Sequence, residues 1–462
     1  MEKGNFLVFK VGGSVLANPQ DMKKIARSFF ELKEKMRDIH FVIVVSAIKG
    51  ITNKLLEALD NFETLDVEHF LGELFEIHKQ FVADDYHTLE ILKREIYSIE
   101  KLLVGSKMIG KIPDFVRDRV LCSGERWSAV ILRNYMEDLN FKIMYPENFI
   151  LTDGKYGNSN VLLEKTKSII ESNFEEWEHG DFIVPGFYGK SDVDGNITIL
   201  GRGGSDYTAT VLGYSLDALG VVLVKDVPGF LTGDPKVTGT VNTIRNLSYE
   251  EADELSYFGA KVLHHNAVEP LRIKGIPLYI CAWNSLGSFE INLCEGCTVI
   301  SNVSDHIESS EAKIKSVSMT DDIAIVQFKG HNLGRVPGIL GEIASQVSHA
   351  GLNIKFVITS QTSIVLIVSK NDLENVLKIA EKLKIKEIED IKFSSNKTLI
   401  AVVGEGLLNY HGIASRIFQA VASGKINVEM ISAGASDVSV YFIVDEKDGQ
   451  RALKLVHDEF FN

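Results

Sequence analysis

The sequence predicts an α/β protein: a largely parallel sheet covered by helices, followed by two copies of a small α+β module. Three observations predict it. Apolar runs such as "FVIVV" at 41–45 do not alternate with polar residues, which marks strands buried on both faces. Glycine clusters follow such runs, at 12–13 and 201–204, where open α/β sheets bind ligands. The last third repeats itself. Shifted by 74 residues, Gly338 falls on Gly412, Ile343 on Ile417, Val347 on Val421 and Asn353 on Asn427.

Bulk composition sets the limits. The chain has 462 residues, 45% hydrophobic and 24% charged, enough for about three domains with real cores. A net charge of −14 argues against a nucleic-acid or anionic-membrane partner. No apolar run approaches the roughly 18 residues of a membrane span. The first residues hold no signal-peptide core, so a cytoplasmic location is expected. Four cysteines, at 122, 281, 294 and 297, are too sparse for a disulfide scaffold. Cys294 and Cys297 form a lone CxxC, short of the four ligands a zinc site needs. No metal site is expected from the protein.

The elements follow in order. "NFLVFKVGG" is a strand running into a glycine turn, residues 21–37 are helical, and "FVIVVSA" is a second buried strand. Residues 51–120 form a mostly helical insertion. The strand pattern resumes with "DFIVPGFYG" at 181–189, "ITILGRGG" at 197–204 and "GVVLVKDVPG" at 220–229. These belong to one catalytic domain over 1–300. A polar stretch around 300–312 separates it from the duplicated tail. There the spacing gives one β-α-β-β-α unit over 312–390 and another over 396–462. Neither copy has a histidine–carboxylate pattern, so ligand sensing or dimerisation is expected of them.

No GxxxxGK[ST] or GxGxxG is present, so phosphate chemistry rests on other constellations. "VFKVGGS" places Lys10 at a strand end before Gly12, Gly13 and Ser14. Successive N–H groups there can cradle an anion, with Lys10 as a point charge; the bland reading is a turn with a solvated lysine. "KDVPGFLTGDPK" supplies Lys225, Asp226 and Lys236 around two turns, and "FGAKVLHH" places Lys261 at a helix start. "GRGGSD" offers Arg202, a planar fork matching a carboxylate, then Ser205 and Asp206. "CSGERWSA" holds Glu125, and "SAIKGITN" holds Ser46 and Thr52. A ligand with one ammonium and two carboxylates suits this set. Glu125 would take the ammonium, Arg202 one carboxylate, and the other would face Lys10.

These motifs, in this order and with the duplicated tail, resemble the aspartokinases. The resemblance covers K-x-G-G-S, S-x-x-x-G-I-T-N, G-E-R-x-S, P-G-F, G-R-G-G-S-D-Y-T, D-V-P-G-x-x-T-x-D-P and F-G-A-K-V-L-H. It implies an amino-acid kinase fold with two ACT-type, ferredoxin-like modules. It further implies transfer of phosphate from ATP, with Mg²⁺, to the side chain of L-aspartate, giving 4-phospho-L-aspartate. That reaction opens lysine, threonine and methionine synthesis. Lys10, Asp206 and Lys261 would be catalytic. Aspartate would lie on Ser46, Thr52, Glu125, Phe187, Arg202 and Ser205. The nucleotide would lie on Gly12, Gly13, Ser14, Lys225, Asp226, Leu231, Lys236 and Lys261. Leu231 stands where a tyrosine is common, and Lys236 where an arginine is. Asp206 would orient Lys10 or the metal. The other readings are a kinase for another acidic amino acid and a non-catalytic amino-acid sensor.

The resemblance also implies an end-product amino acid as inhibitor, and a homodimer or larger assembly through the ACT modules. The expected lining is Val336, Gly338, Ile339, Leu340, Ile354, Lys355 and Gln361. Lysine-inhibited relatives tend to carry acids at the last two positions. Lys355 would repel lysine's side-chain ammonium and favour a neutral effector such as threonine. Glu429 is the second module's counterpart of Lys355; it could restore a lysine site, or pair with Lys355 across an interface.

Overall fold

The computed structural model describes residues 5–82, 85–178, 180–259, 263, 267–291, 296–302, 313–407 and 409–462. The chain divides into two compact units. The first is Met1–Phe230, Thr243–Ser256 and Lys261–His306; the second is Leu231–Asn242, Tyr257–Ala260 and Ile307–Asn462.

The first unit contains strands β1 (Phe6–Val11), β2 (His40–Val45), β3 (Lys142–Ile143), β4 (Leu151–Thr152), β5 (Phe182–Pro185), β6 (Tyr188–Ser191), β7 (Ile197–Ile199), β8 (Gly220–Lys225), β9 (Asn246–Ser248), β10 (Leu278–Ala282) and β11 (Thr298–Ser301). β1 is buried throughout and β2 at all but its first residue, as the lack of alternation requires. The main sheet runs β3-β5-β2-β1-β8-β10-β11-β9. Its neighbours are parallel except β10 and β11. The "ITIL" strand is a departure from the sequence reading. β7 joins β4 and β6 in a separate small sheet and pairs antiparallel with β6.

Local chemistry sets the flanking helices. Pro19–Lys35 starts at Asn18, whose side chain accepts from the N–H of Asp21, with Pro19 in the first turn. It buries Met22, Ile25, Ala26, Phe29 and Leu32, one face at helical spacing. Phe29 meets Phe9 of β1 edge-on at 5.2 Å. The helical insertion consists of Ile51–Asp60, Val67–Lys79, Tyr86–Ile109 and Asp114–Leu121. Asp66 and Asp85 cap its second and third helices.

From β1 the chain moves one way along the sheet, to β2 and β5, and later returns on the other side of β1 with β8. That reversal opens a crevice at the carboxyl ends of β1 and β8, the usual ligand position in such sheets.

The second unit adds β12 (Lys313–Thr320), β13 (Ala324–Lys329), β14 (Phe356–Thr359), β15 (Ser363–Val368), β16 (Asp390–Ser394), β17 (Lys397–Glu405), β18 (Met430–Ala433) and β19 (Ser439–Asp445). They form two antiparallel sheets, β14-β15-β13-β16 and β18-β19-β17-β12. The helices Ile339–His349 and Leu373–Lys382 cover the first, and Ile413–Ser423 and Gly449–Phe461 the second. Gly338 and Gly412 precede equivalent helices at φ +91° and +88°, so the 74-residue register extends to backbone conformation.

Two boundaries need correction. β12 lies inside the range read as the first module, yet it pairs with β17 in the second module's sheet, from Lys313↔Glu405 to Thr320↔Leu399. It takes the place that β16 takes beside β13. Leu231–Asn242, read as part of the catalytic domain, belongs to the second unit. The reason is hydrogen bonding and packing: Val317 N–H donates to Thr232 O at 2.9 Å, Ser316 Oγ to Leu231 O at 2.8 Å, and Val237 packs on that module's core. No helix among the described residues is long and apolar enough to cross a membrane.

Candidate active site

Strand ends and helix starts build the site in the first unit. β1 ends in Gly12 and Gly13. A Cβ on Gly13 would stand 2.6 Å from the carbonyl oxygen of Ala47, so only glycine lets this turn lie against the end of β2. After β2 come Ser46 and the turn into the helix Ile51–Asp60. After β5 comes Phe187 at φ +82°, its N–H donated to Thr208 Oγ1 at 3.0 Å. After β7 comes "GRGG". Gly203 caps the helix Gly204–Ser215 in the left-handed region at φ +70°, a conformation glycine adopts without strain. Ser205 and Asp206 thus lie in a helix's first turn, where backbone N–H groups lack intrahelical acceptors.

A cavity of about 650 Å³ opens here. It is lined by Lys10, Gly13, Ser14, Ser46, Thr52, Glu125, Phe187 and Gly201–Asp206, with Lys49, Gly50, Asn53, Leu56, Leu121 and Ile199. The expected aspartate residues Ser46, Thr52, Glu125, Phe187, Arg202 and Ser205 therefore meet in one pocket, with Lys10 and Asp206. Gly12 sits just behind it, where an added Cβ would stand 3.4 Å from Lys10 Nζ.

Asp206 is the electrostatic centre. Lys10 Nζ lies 2.7 Å from its Oδ1, an ion pair without hydrogen-bond alignment, and Lys225 Nζ donates to Oδ2 at 2.9 Å. Burial by itself would raise the Asp206 carboxyl, but the two ammonium groups outweigh it and hold the group well below the usual carboxylate range. Burial pulls the Lys10 ammonium down, and Asp206 opposes that shift. The sequence reading left two roles open for Asp206, orienting Lys10 or a metal; its oxygens face two lysines. It holds Lys225 as well as Lys10, an ion pair absent from the sequence reading. Among the described residues no group of three or more His, Cys, Asp or Glu is placed to hold a metal ion.

Glu125 is 3% exposed in the first turn of the helix Ser123–Tyr135, and its Oε2 has no hydrogen-bond partner. Burial pushes its carboxyl up to about 8. Its neighbour Arg126 turns elsewhere, to Glu95 at 3.0 Å, Glu147 at 2.6 Å and the Tyr188 hydroxyl at 2.9 Å. Glu125 is thus a buried acid on the pocket that makes no ion pair within 4 Å among the described residues, with the Lys10 ammonium acting on it from farther off.

Other expected residues fall elsewhere. Asp226 is exposed beyond β8. Leu231 and Lys236 lie in the second unit. Lys261 and Cys294 lie outside the described residues. In the first module Ile339 is buried in the core and Ile354 packs against it, because the helix turns Ile339 inward with Ile343 and Val347. Val336 and Leu340 are part-exposed. Lys355 Nζ bonds Asp322 O at 2.5 Å and Asp322 Oδ2 at 3.1 Å. Glu429 pairs with Lys397 at 2.5 Å, so each charge has a partner of its own. Gln361, its amide oxygen turned toward Arg335, accepts from Nη2 and Nε at 2.7 Å each. Sequence reasoning missed Lys49 and Asn53 on the pocket wall, although both stand in the quoted "SAIKGITN".

A strand-end lysine, a glycine turn and a helix-start carboxylate thus meet around one crevice of about 650 Å³ at the carboxyl ends of a largely parallel sheet. The chain belongs to the amino acid kinase family, whose model matches residues 5–282; two ACT domain models match 318–381 and 400–460. Among curated proteins it is similar to aspartokinase 1, chloroplastic, of Arabidopsis thaliana, 29% identical over all of this chain and 81% of that protein. It is also similar to the bifunctional aspartokinase/homoserine dehydrogenase of Buchnera aphidicola, 28% identical over 98% of this chain, which spans 56% of that relative's length. Its fold is that of E. coli aspartokinase III solved with aspartate and ADP, at TM-score 0.80 and 22% identity over 99% of this chain and 100% of that one. The Clostridium acetobutylicum aspartate kinase matches at TM-score 0.77 and 23% identity, over 98% and 100%.

Glu125 generates a pH prediction. An ammonium ligand needs the ionised carboxylate, whereas the empty pocket keeps it protonated below about pH 8. Binding such a ligand must then expel a proton. The kcat/KM for an amino-acid substrate should rise nearly tenfold per unit between about pH 6 and 7.5 and level off above about 8. Glu125→Gln should flatten that limb. Initial rates across pH with wild type and variant check this; an unchanged slope in the variant places the titration elsewhere.

Proposed function

We propose that the chain phosphorylates the side-chain carboxylate of L-aspartate with ATP, giving 4-phospho-L-aspartate and ADP. The observation that supports this most is the joining of Lys10–Asp206–Lys225 to a pocket that also holds Glu125 and Arg202. The pocket offers one unpaired buried acid for an ammonium and one guanidinium for a carboxylate. In this reading Glu125 takes the α-ammonium and Arg202 the α-carboxylate, with Ser46, Thr52, Phe187 and Ser205 shaping the remainder. The side-chain carboxylate attacks the γ-phosphorus, the bond to the β-phosphate oxygen breaks, and ADP leaves. The attacking oxygen is already ionised, so no general base is needed. Lys10 and Lys225 neutralise charge on the transferring group, and positioning supplies most of the rate. Gly12, Gly13, Ser14 and Asp226 flank the phosphates. Leu231, Lys236 and Lys261 are assigned to the nucleotide by motif resemblance. Mg²⁺ is taken to arrive on the phosphates of ATP, because Asp206 is already engaged by two lysines.

The product feeds lysine, threonine and methionine synthesis in this reading, in the cytoplasm. An amino acid acting at the ACT domains regulates it, and those domains pair two or more copies of the chain. E. coli aspartokinase III has been solved with lysine and aspartate in a T-state. In this chain Arg335 and Lys355 stand on the expected effector lining, Lys355 already paired with Asp322, and the reading leans to a neutral effector. A coupled assay trapping acyl phosphate as hydroxamate tests the activity. Product with aspartate supports it, product only with glutamate or acetylglutamate moves the substrate, and no product with any leaves an amino-acid sensor.

Three measurements probe the assignments. Lys10→Ala should fold and lose roughly 10²–10³ in kcat, the scale of one preorganised charge-stabilising donor; near-normal kcat in a folded variant removes Lys10 from the chemistry. Arg202→Lys keeps the charge but loses the planar two-point grip, so the aspartate KM should rise about tenfold with little change for ATP. A larger change for ATP reverses the assignment. Titrating activity with threonine and lysine should give inhibition by threonine at concentrations at least about tenfold lower. Potent inhibition by lysine alone, unaffected by Lys355→Ala, overturns the charge argument.

A further inference from the structure

Asp118 is 1% exposed on the helix Asp114–Leu121. Its carboxylate makes no ion pair within 4 Å among the described residues and instead accepts backbone N–H groups from two separate segments. Gly157 donates to Oδ2 at 2.9 Å and to Oδ1 at 3.2 Å, and Ile199 donates to Oδ2 at 3.0 Å. Burial raises its carboxyl, and the two N–H groups oppose that rise. A buried charge satisfied only by backbone dipoles is a costly way to hold two strands of chain.

What it holds leads to the pocket. Ile199 ends β7, and after Leu200 come Gly201, Arg202 and Gly203. Gly157 belongs to the loop that lies against this segment: Ser159 N–H donates to Ile199 O at 2.9 Å. Asn158 Oδ1 sits where a Cβ on Gly201 would stand 2.1 Å away, so the loop presses on the turn carrying Arg202. On the turn's other side, Leu200 N–H donates to Phe187 O at 2.8 Å. Arg202 itself is exposed, and its direction is set by a turn whose supports are Asp118, the 157–159 loop and Phe187.

We infer that Asp118 is a positioning residue for Arg202, fixing the "GRGG" turn so that the guanidinium meets the substrate's carboxylate. This rests on the reading of Arg202 as an aspartate ligand. Asp118 touches no substrate; it acts by closing two backbone hydrogen bonds beneath the turn. The bonds converge largely on one oxygen, Oδ2, so an asparagine with its amide oxygen there keeps both.

The test is steady-state kinetics, varying aspartate and ATP separately, on Asp118→Ala, Asp118→Asn and Arg202→Lys, with thermal unfolding alongside. Asp118→Ala should raise the aspartate KM about tenfold or more and leave the ATP KM within about twofold. Asp118→Asn should return the aspartate KM to within about threefold of wild type. An Asp118→Ala variant that loses thermal stability but keeps its aspartate KM overturns the inference, as does an equal rise in both KM values. Arg202→Lys separates the two levels. If it raises the aspartate KM and Asp118→Ala does not, the positioning role falls and the pocket reading stands. If Arg202→Lys leaves the aspartate KM unchanged, the pocket reading falls and takes this inference with it. Should Asp118→Ala fail to fold, Asn158→Ala removes the other support. It should raise the aspartate KM about threefold, and an unchanged value overturns the inference.

Discussion

The carboxylate of Asp206, shared by two lysines, is the interaction on which the catalytic unit depends. One anion and two cations in a nearly dry place leave an excess positive charge. Burying such charge is costly unless it is paired, and the pairing comes from three parts of the chain. β1 brings Lys10, β8 brings Lys225, and the first turn of Gly204–Ser215 brings Asp206. β1 and β8 are adjacent and parallel, in register from Leu7↔Gly220 to Val11↔Val224. The charge triad is therefore a product of sheet topology, and the surplus charge suits an anionic phosphoryl group.

Glycines let the rest of the pocket close on this centre. Gly13 brings the β1 turn against Ala47. Gly124 does the same for the helix bearing Glu125, since a Cβ there would stand 2.7 Å from Ala47 Cβ. The end of β2 is thus a common floor for the phosphate-side turn and for the helix of the buried acid. Small residues at this floor explain how Lys10 and Glu125 face one cavity from different layers.

Much of the site was legible because its residues stand beside glycine turns at the ends of apolar runs. Lys10, Arg202, Asp206 and Glu125 all announce themselves in this way. What stayed hidden depends on long-range pairing. Nothing local marks Asp118 as a backbone acceptor, because its partners lie 39 and 81 residues downstream. Nothing in "KIKSVSMT" says that it pairs with the nine-residue run at 397–405 rather than with the nearer β13; both are β-rich, and register across a sheet is a global choice. The segment 231–242 reads as part of the catalytic chain by sequence order, yet Val237 and the carbonyls of Leu231 and Thr232 find their partners in the second unit. In the first module Ile339, read as effector lining, is buried with Ile343 and Val347, whereas its neighbour Leu340 is exposed.

The strand order of the second unit also bears on its history. β12 and β17 are antiparallel neighbours, and Thr320 faces Leu399. Residues facing each other this way lie about 5 Å apart. Everything between them, β13 through β16 with its own sheet and core, is topologically an oversized hairpin loop of the other ACT domain. A single genetic deletion with a short turn as its scar would remove the inner domain and leave the outer one's strand set whole. The outer domain has no such freedom, because its coding sequence flanks the inner one on both sides. Gain or loss of regulatory complexity in such a chain is therefore asymmetric: the guest can come and go, while the host must stay.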